Sequence, residues 1–161
     1  MNNFLGALVA LFLSATQALQ PAVIESTPTP PSPQEIALGE FLEAKGSPMP
    51  ANILIQYPNW EMMVAISAAE SGYCKHPAGD FNCYGIKDFR PGERFGKYRN
   101  FESWDESIDY VSTLLFKYDQ EDGNPDPHAM VVRWKGDYHT THWLNNVSYS
   151  LWDLEQNVLN A

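Results

Sequence analysis

The segment between residues 60 and 88 decides how the rest of the chain is interpreted. It begins Trp-Glu-Met-Met-Val-Ala-Ile-Ser-Ala-Ala-Glu-Ser-Gly-Tyr-Cys (60–74) and ends Phe-Asn-Cys-Tyr-Gly-Ile-Lys-Asp (81–88). The first part predicts a short amphipathic helix, because its apolar residues recur with the period of one helix face. These residues are Met62, Met63, Ile66 and Ala69.

Glu70 is the candidate catalytic residue of this helix. Asn59 is placed to cap the helix start and Gly72 to end it, so Glu70 falls in the last turn. The negative end of the helix dipole and partial burial both favour the protonated form of a carboxyl group there. General-acid catalysis needs a carboxyl group that keeps its proton near neutral pH. On spacing alone, an exposed glutamate without a catalytic role is the alternative.

Cys74 and Cys83 are the two cysteines of the chain, nine positions apart around a Gly/Pro loop. In an exported protein this pattern favours a disulfide, which would hold the loop beside Glu70. Two alternatives use the same cysteines. A metal site would add His76 but would have only three ligands, so we predict no metal. A cysteine peptidase would need a free thiol near a histidine.

Length and charge limit the remaining possibilities. With 161 residues the chain has room for one domain with a core, and its net charge of −10 argues against nucleic acid as a partner. Residues 1–18 have the apolar run and small residues of a signal peptide, and residues 19–33 form a Pro-rich linker. The predicted domain is 34–161. We expect an exported monomer, secreted, periplasmic or associated with the cell wall. It would have no cofactor and no stable membrane span after cleavage.

Capping signals and apolar periods predict a mostly α-helical fold. Besides the Glu70 helix, the predicted helices follow Ser32 and Ser103 or cover residues 51–56, 130–134 and 143–159. The helix after Ser103 is assigned to the core, with no chemistry. Residues 87–99 carry a net charge of +3 and predict a short β-hairpin or flap, which would meet an anionic substrate or remain a solvated face.

Three segments in order resemble the lysozyme-like superfamily. They are Ala-Ile-Ser-Ala-Ala-Glu-Ser-Gly-Tyr (65–73), Asn-Cys-Tyr-Gly-Ile-Lys (82–87) and Tyr-Arg-Asn-Phe-Glu-Ser-Trp-Asp-Glu-Ser-Ile-Asp-Tyr (98–110). The resemblance covers residues 35–158 and is greatest to the glucosaminidase-type and lytic-transglycosylase-like branches, which cut peptidoglycan. It implies a lysozyme-like helical domain with a short hairpin or flap beside a cleft. It also implies cleavage of β-1,4 glycan strands.

The resemblance implies roles for individual residues. Glu70 would be the general acid, and Glu93 is placed where glucosaminidases often carry a second carboxylate. Substrate-binding or turn-supporting positions would be Ser71, Asn82, Tyr84 and Gly85. Tyr138 and Trp143 are candidates for stacking on sugar rings, but a position partly in the core is the favoured interpretation of both. The Gly-Leu-Met-Gln of lytic transglycosylases is replaced by Asn-Cys-Tyr-Gly-Ile, which leaves the reaction type open. A non-catalytic glycan-binding module on the same fold is the alternative function.

Overall fold

The computed structural model describes residues 30–89, 96–136 and 140–160. These residues contain six α-helices and a π-helical turn, joined by loops. The helices are α1 (Pro33–Ala44), α2 (Ala51–Leu54), α3 (Trp60–Ser71), α4 (Trp104–Leu115), α5 (Pro127–Lys135) and α6 (Thr140–Leu154), which continues as the π-helical turn Glu155–Leu159. The prediction of a mostly α-helical chain is confirmed. The predicted signal peptide and most of the predicted linker lie outside the described residues.

Helix α3 lies at the centre of the fold and makes its most extensive contacts with α6. We predicted an amphipathic helix, but the structure buries α3 on most of its sides. Val64, Ala65 and Ser67 are buried together with the predicted apolar face. Because α4 and α6 both pack against α3, little of its surface is left for solvent. Gly72 ends the helix as predicted, with a left-handed backbone (φ 61°).

The capping signals correctly locate the starts of α1 and α4. The Ser32 hydroxyl accepts a hydrogen bond from the Glu35 backbone N–H at 3.1 Å, and Ser103 accepts one from Glu106 at 3.2 Å. Each bond satisfies a backbone donor that the first turn of a helix leaves without an intrahelical partner. In α4, Ile108, Val111 and Leu115 are fully buried, as their spacing predicts.

Asn59 does not cap α3 with its side chain, contrary to the prediction. Its amide is fully buried and donates to the Ser112 carbonyl at 3.2 Å, while the Ser112 hydroxyl donates back to Asn59 Oδ1 at 2.9 Å. Ser112 offers both a donor and an acceptor within α4, so the amide satisfies its hydrogen bonds across the helix pair. Asn59 therefore ties α3 to α4.

The last two helices begin earlier than predicted. Helix α5 starts at Pro127 because the Asp126 carboxylate caps it, accepting from the His128 backbone N–H at 3.0 Å. Helix α6 already runs from Thr140.

The region predicted to be a basic hairpin contains an antiparallel bridge between Lys87 and Tyr98. Among the described residues this bridge is the one β pairing. Residues 90–95, between the two sides of the bridge, lie outside those residues. Across the described ranges, the helices fall short of the length and apolar character that crossing a bilayer requires.

Candidate active site

Glu70 is placed where three helix ends meet. It is the penultimate residue of α3, while Trp134 and Lys135 are the last two residues of α5, and Trp143 lies in the first turn of α6. Helices α5 and α6 pack against each other, which brings their adjoining ends to the same side of α3. The Glu70 side chain keeps only 12% of its exposure.

Three donors bind the Glu70 carboxylate. Oε1 accepts the indole N–H of Trp134 at 2.9 Å and that of Trp143 at 2.8 Å. Oε2 lies 3.2 Å from Nζ of Lys135, which forms an ion pair with it. Each oxygen is thus held by different partners, the first by two neutral donors and the second by a cation.

These contacts change the expectation derived from the helix dipole and burial. Indole and ammonium groups donate hydrogen bonds and have no lone pair to accept one. All three therefore complement an ionised carboxylate and oppose the two effects that favour the protonated form. The structure therefore places the carboxyl group of Glu70 in a donor-rich setting.

Glu70 opens into a cleft of about 580 Å³. Aromatic side chains form much of its wall, and Glu70 is the single carboxylate among the described residues that line it. The aromatic lining consists of Tyr84, Phe89, Tyr98, Tyr110, Tyr118 and Trp134. Flat apolar rings interspersed with polar groups suit the stacking of sugar rings.

Three cations line the same cleft: Lys87, Arg133 and Lys135. Lys87 lies over the ring of Tyr98 at 3.5 Å from its centroid, and the Arg133 guanidinium lies 4.7 Å from that of Tyr118. Burial raises the pKa of the Tyr118 phenol, an effect that the charge of Arg133 opposes. The described lining is therefore net positive on a protein of net charge −10.

Gly85 lies close to the Glu70 carboxylate in the wall of the cleft. A Cβ atom at this position would lie 3.5 Å from Glu70 Oε2, and the backbone has φ +69°, which favours glycine. The neighbouring Tyr84 lines the cleft but is 1% exposed, and burial raises the pKa of its phenol. The structure thus places Gly85 and Tyr84 in the lining of the cleft into which Glu70 opens.

Asn82 was expected to line the cleft, but its side chain and that of Ser71 bond backbone groups of the neighbouring loops. The Ser71 hydroxyl bonds the carbonyl of Cys83 at 2.7 Å and the backbone N–H of Cys74 at 3.1 Å. The fully buried Asn82 amide donates to the carbonyls of Ile86 and Arg99 at 2.9 and 2.7 Å. Neither residue lines the cleft. They hold the loops that carry Cys83 and Gly85, so they act on the site indirectly.

The predicted disulfide between Cys74 and Cys83 is present, with 4.7 Å between the two Cα atoms. Both cysteines are buried, and neither belongs to the cleft lining. The bridge ties the chain just after α3 to the chain just before Gly85.

Two predicted site residues, Glu93 and Tyr138, lie outside the described residues. Lys87 is the one described cation of the predicted basic stretch that lines the cleft. Arg99 is instead paired with Glu106 at 2.6 Å and lies 4.5 Å from the ring centroids of Phe101 and Tyr110.

Sequence reasoning missed most of the residues that bind Glu70. Trp134 and Lys135 had no predicted role at the site. For Trp143 a position partly in the core was favoured over stacking on sugars; it is 3% exposed, and its donation to Glu70 was not predicted. Tyr118, which was assigned to the core with the helix after Ser103, also lines the cleft, as does Tyr110, for which no role was predicted. The one available signal was the tryptophan at each of two predicted helix ends, since a buried indole N–H needs an acceptor.

Comparison of the chain with protein-family models, with curated proteins and with solved structures gave no match in any of the three.

Proposed function

We propose that this protein cleaves the β-1,4 glycan strands of peptidoglycan, with Glu70 as general acid. One observation carries the proposal: a largely buried carboxylate opens into a cleft lined by six described aromatic side chains. Aromatic rings bind the faces of sugars, and one carboxyl group placed at the glycosidic oxygen is enough to start cleavage.

The proposed reaction begins at Glu70. Its proton passes to the glycosidic oxygen, the bond from that oxygen to the anomeric carbon breaks, and positive charge develops on the sugar ring. The leaving sugar departs as an alcohol and Glu70 is left ionised. Attack by water on the anomeric carbon would complete hydrolysis, whereas attack by the sugar's own 6-hydroxyl would give an anhydro product; in both cases the proton released by the attacking hydroxyl returns to Glu70. Glu93, should it reach the cleft, would assist the water.

The positive lining favours an anionic glycan. Lys87 and Arg133 lie on the cleft wall, apart from the ion pair of Lys135 with Glu70. Peptidoglycan carries carboxylates on its lactyl groups and stem peptides, so these two cations would contact the peptide-bearing side of the strand.

The lysozyme-like fold, the flap and export belong to the same proposal. The backbone N–H of Asp88 donates to the Lys97 carbonyl at 2.7 Å, and that of Arg99 to Ile86 at 2.8 Å, as the base of a flap would. The Cys74–Cys83 disulfide suits an oxidising compartment such as the periplasm or the cell exterior.

A non-catalytic glycan-binding module is the second candidate, and the donors around Glu70 favour it. All three side chains that bond the carboxyl group are hydrogen-bond donors, and such contacts would also hold a glutamate that has only a structural role. In this alternative, Glu70 orders the aromatic wall and takes no part in chemistry.

Digestion of peptidoglycan separates the two functions. Wild type should release muropeptides, and Glu70→Gln should lower the rate at least about 100-fold, the contribution typical of a general acid. Product masses would distinguish hydrolysis from anhydro-sugar formation.

Glu61→Gln is the matched control, because Glu61 is a partly buried glutamate of the same helix that does not line the cleft. It should leave the rate unchanged. If wild type and Glu70→Gln bind peptidoglycan equally and neither releases muropeptides, the protein is a glycan-binding module and the proposed enzyme is refuted.

A further inference from the structure

The two oxygens of Glu70 have different surroundings. Oε1 is held by two indole N–H groups from α5 and α6, at 2.9 and 2.8 Å. Oε2 faces Gly85, whose Cβ position would lie 3.5 Å away, and its described polar partner is Lys135 at 3.2 Å. The carboxylate therefore has one oxygen that is fixed and one that faces the cleft.

This asymmetry decides which oxygen can carry a proton. Two indole donors direct their hydrogens at Oε1, so a proton on Oε1 would oppose both of them. Oε2 is left as the position for the proton, but the Lys135 ammonium also donates to it. A cation at this distance favours the ionised form of a carboxyl group over the protonated form, and movement of the ammonium removes that preference.

Lys135 is placed to move. It is the last residue of α5, its side chain keeps 32% of its exposure, and Gly136 follows with φ +70°. The indole donors by contrast belong to a half-buried and a buried side chain. The fixed and the movable donors therefore act on different oxygens.

We infer that Lys135 is a positioning residue for the proton on Glu70 Oε2: its ammonium disfavours a proton on that oxygen, and departure of the ammonium removes this effect. The effect of Lys135 on catalysis rests on the proposed function, in which a glycan strand entering the cleft displaces the ammonium. The effect of Lys135 on the proton of Glu70 does not rest on that function. Other titratable or charged groups that face the carboxylate across the cleft, among described residues, are Tyr84, Lys87, Tyr98, Tyr110, Tyr118 and Arg133.

The test is a pH titration of the tryptophan side chains by NMR. The indole N–H signals of Trp134 and Trp143 report the charge on Glu70 because both bond its Oε1. Trp134→Phe and Trp143→Phe assign the two signals among the five tryptophans. In Glu70→Gln their titration should disappear, which identifies the group observed.

Lys135→Gln should move the midpoint of this titration upward by about half a pH unit or more, because the carboxylate loses a neighbouring cation. Lys87→Gln is the matched control, since Lys87 lines the same cleft but lies over Tyr98. It should shift the midpoint much less. Equal midpoints in wild type and Lys135→Gln, with the other indole signals unchanged, would overturn the inference.

The pH profile of peptidoglycan cleavage supplies a second readout. In Lys135→Gln the basic limb of the rate profile should move upward with the NMR midpoint. An NMR shift in a protein without activity would uphold the control by Lys135 and refute the proposed enzyme. If the NMR midpoint shifts in Lys135→Gln but the pH–rate profile does not, cleavage of the glycan strand does not use this proton.

Discussion

At the scale of single residues, Gly85 connects backbone conformation to the candidate chemistry. Its φ of +69° is a conformation that costs other residues roughly 1–2 kcal/mol, and its α-hydrogen faces Glu70 Oε2. Any side chain would therefore both strain the loop and occupy the space next to the oxygen that faces the cleft.

Gly85→Ala should lower the free energy of unfolding by about 1 kcal/mol and reduce peptidoglycan cleavage several-fold. Gly96→Ala is the control: its φ is +78°, but nothing lies within 4 Å of the added Cβ. It should cost similar stability and leave the rate intact. Urea denaturation and the cleavage assay check both variants, and equal loss of activity in the two would contradict a specific role for Gly85.

At the scale of elements, the loop after α3 is held in an unusual conformation. Tyr73, Cys74 and Phe81 all have positive φ, at 60°, 65° and 54°. Non-glycine residues adopt this region at a cost and keep it only where the surroundings enforce it. The disulfide, the Ser71 hydroxyl and the Asn82 amide provide that enforcement.

Removal of the disulfide tests this account. The double variant Cys74→Ala/Cys83→Ala should lose roughly 2–3 kcal/mol of stability, from the entropy of closing a short loop in the unfolded chain. Denaturation in urea with and without a reducing agent measures it. The reducing agent should destabilise wild type and leave the double variant unchanged; an unaffected wild type would contradict the prediction.

At the scale of the whole molecule, the charge of the cleft opposes that of the protein. The chain carries −10, whereas the described cleft lining has three cations and one carboxylate. An anionic glycan would be repelled by most of the surface and attracted at the cleft, which favours approach in one orientation.

Binding of peptidoglycan fragments with free carboxylates should therefore weaken by roughly threefold to tenfold as salt rises from low to high concentration. Neutral chitooligosaccharides should show almost no such dependence. Arg133→Gln should reduce the salt dependence. Lys117→Gln should not, because Lys117 is an exposed cation that does not line the cleft. Calorimetric titration measures each case, and a salt dependence shared by the neutral ligand would contradict the prediction.

Interactions between residues close in sequence account for the features that were predicted correctly. The helix after Ser32, the helix after Ser103 and the end of α3 at Gly72 depend on apolar period, capping and glycine, all of which act within a few residues. The disulfide followed from two cysteines close in sequence, and the position of Glu70 in a last turn from the same helix signals. These features were predictable because nothing distant could change them.

The surroundings of Glu70 were decided by the tertiary structure alone. Trp134, Lys135 and Trp143 are 64, 65 and 73 residues from Glu70 in sequence, and they meet it because α5 and α6 end beside α3. Asn59 likewise bonds Ser112, 53 residues away, in place of its own helix. Such contacts depend on how helices pack, and sequence periodicity gives the buried face of a helix but neither its partner nor its axial position. The residues that bond the carboxylate of Glu70 could therefore be identified only in the folded chain.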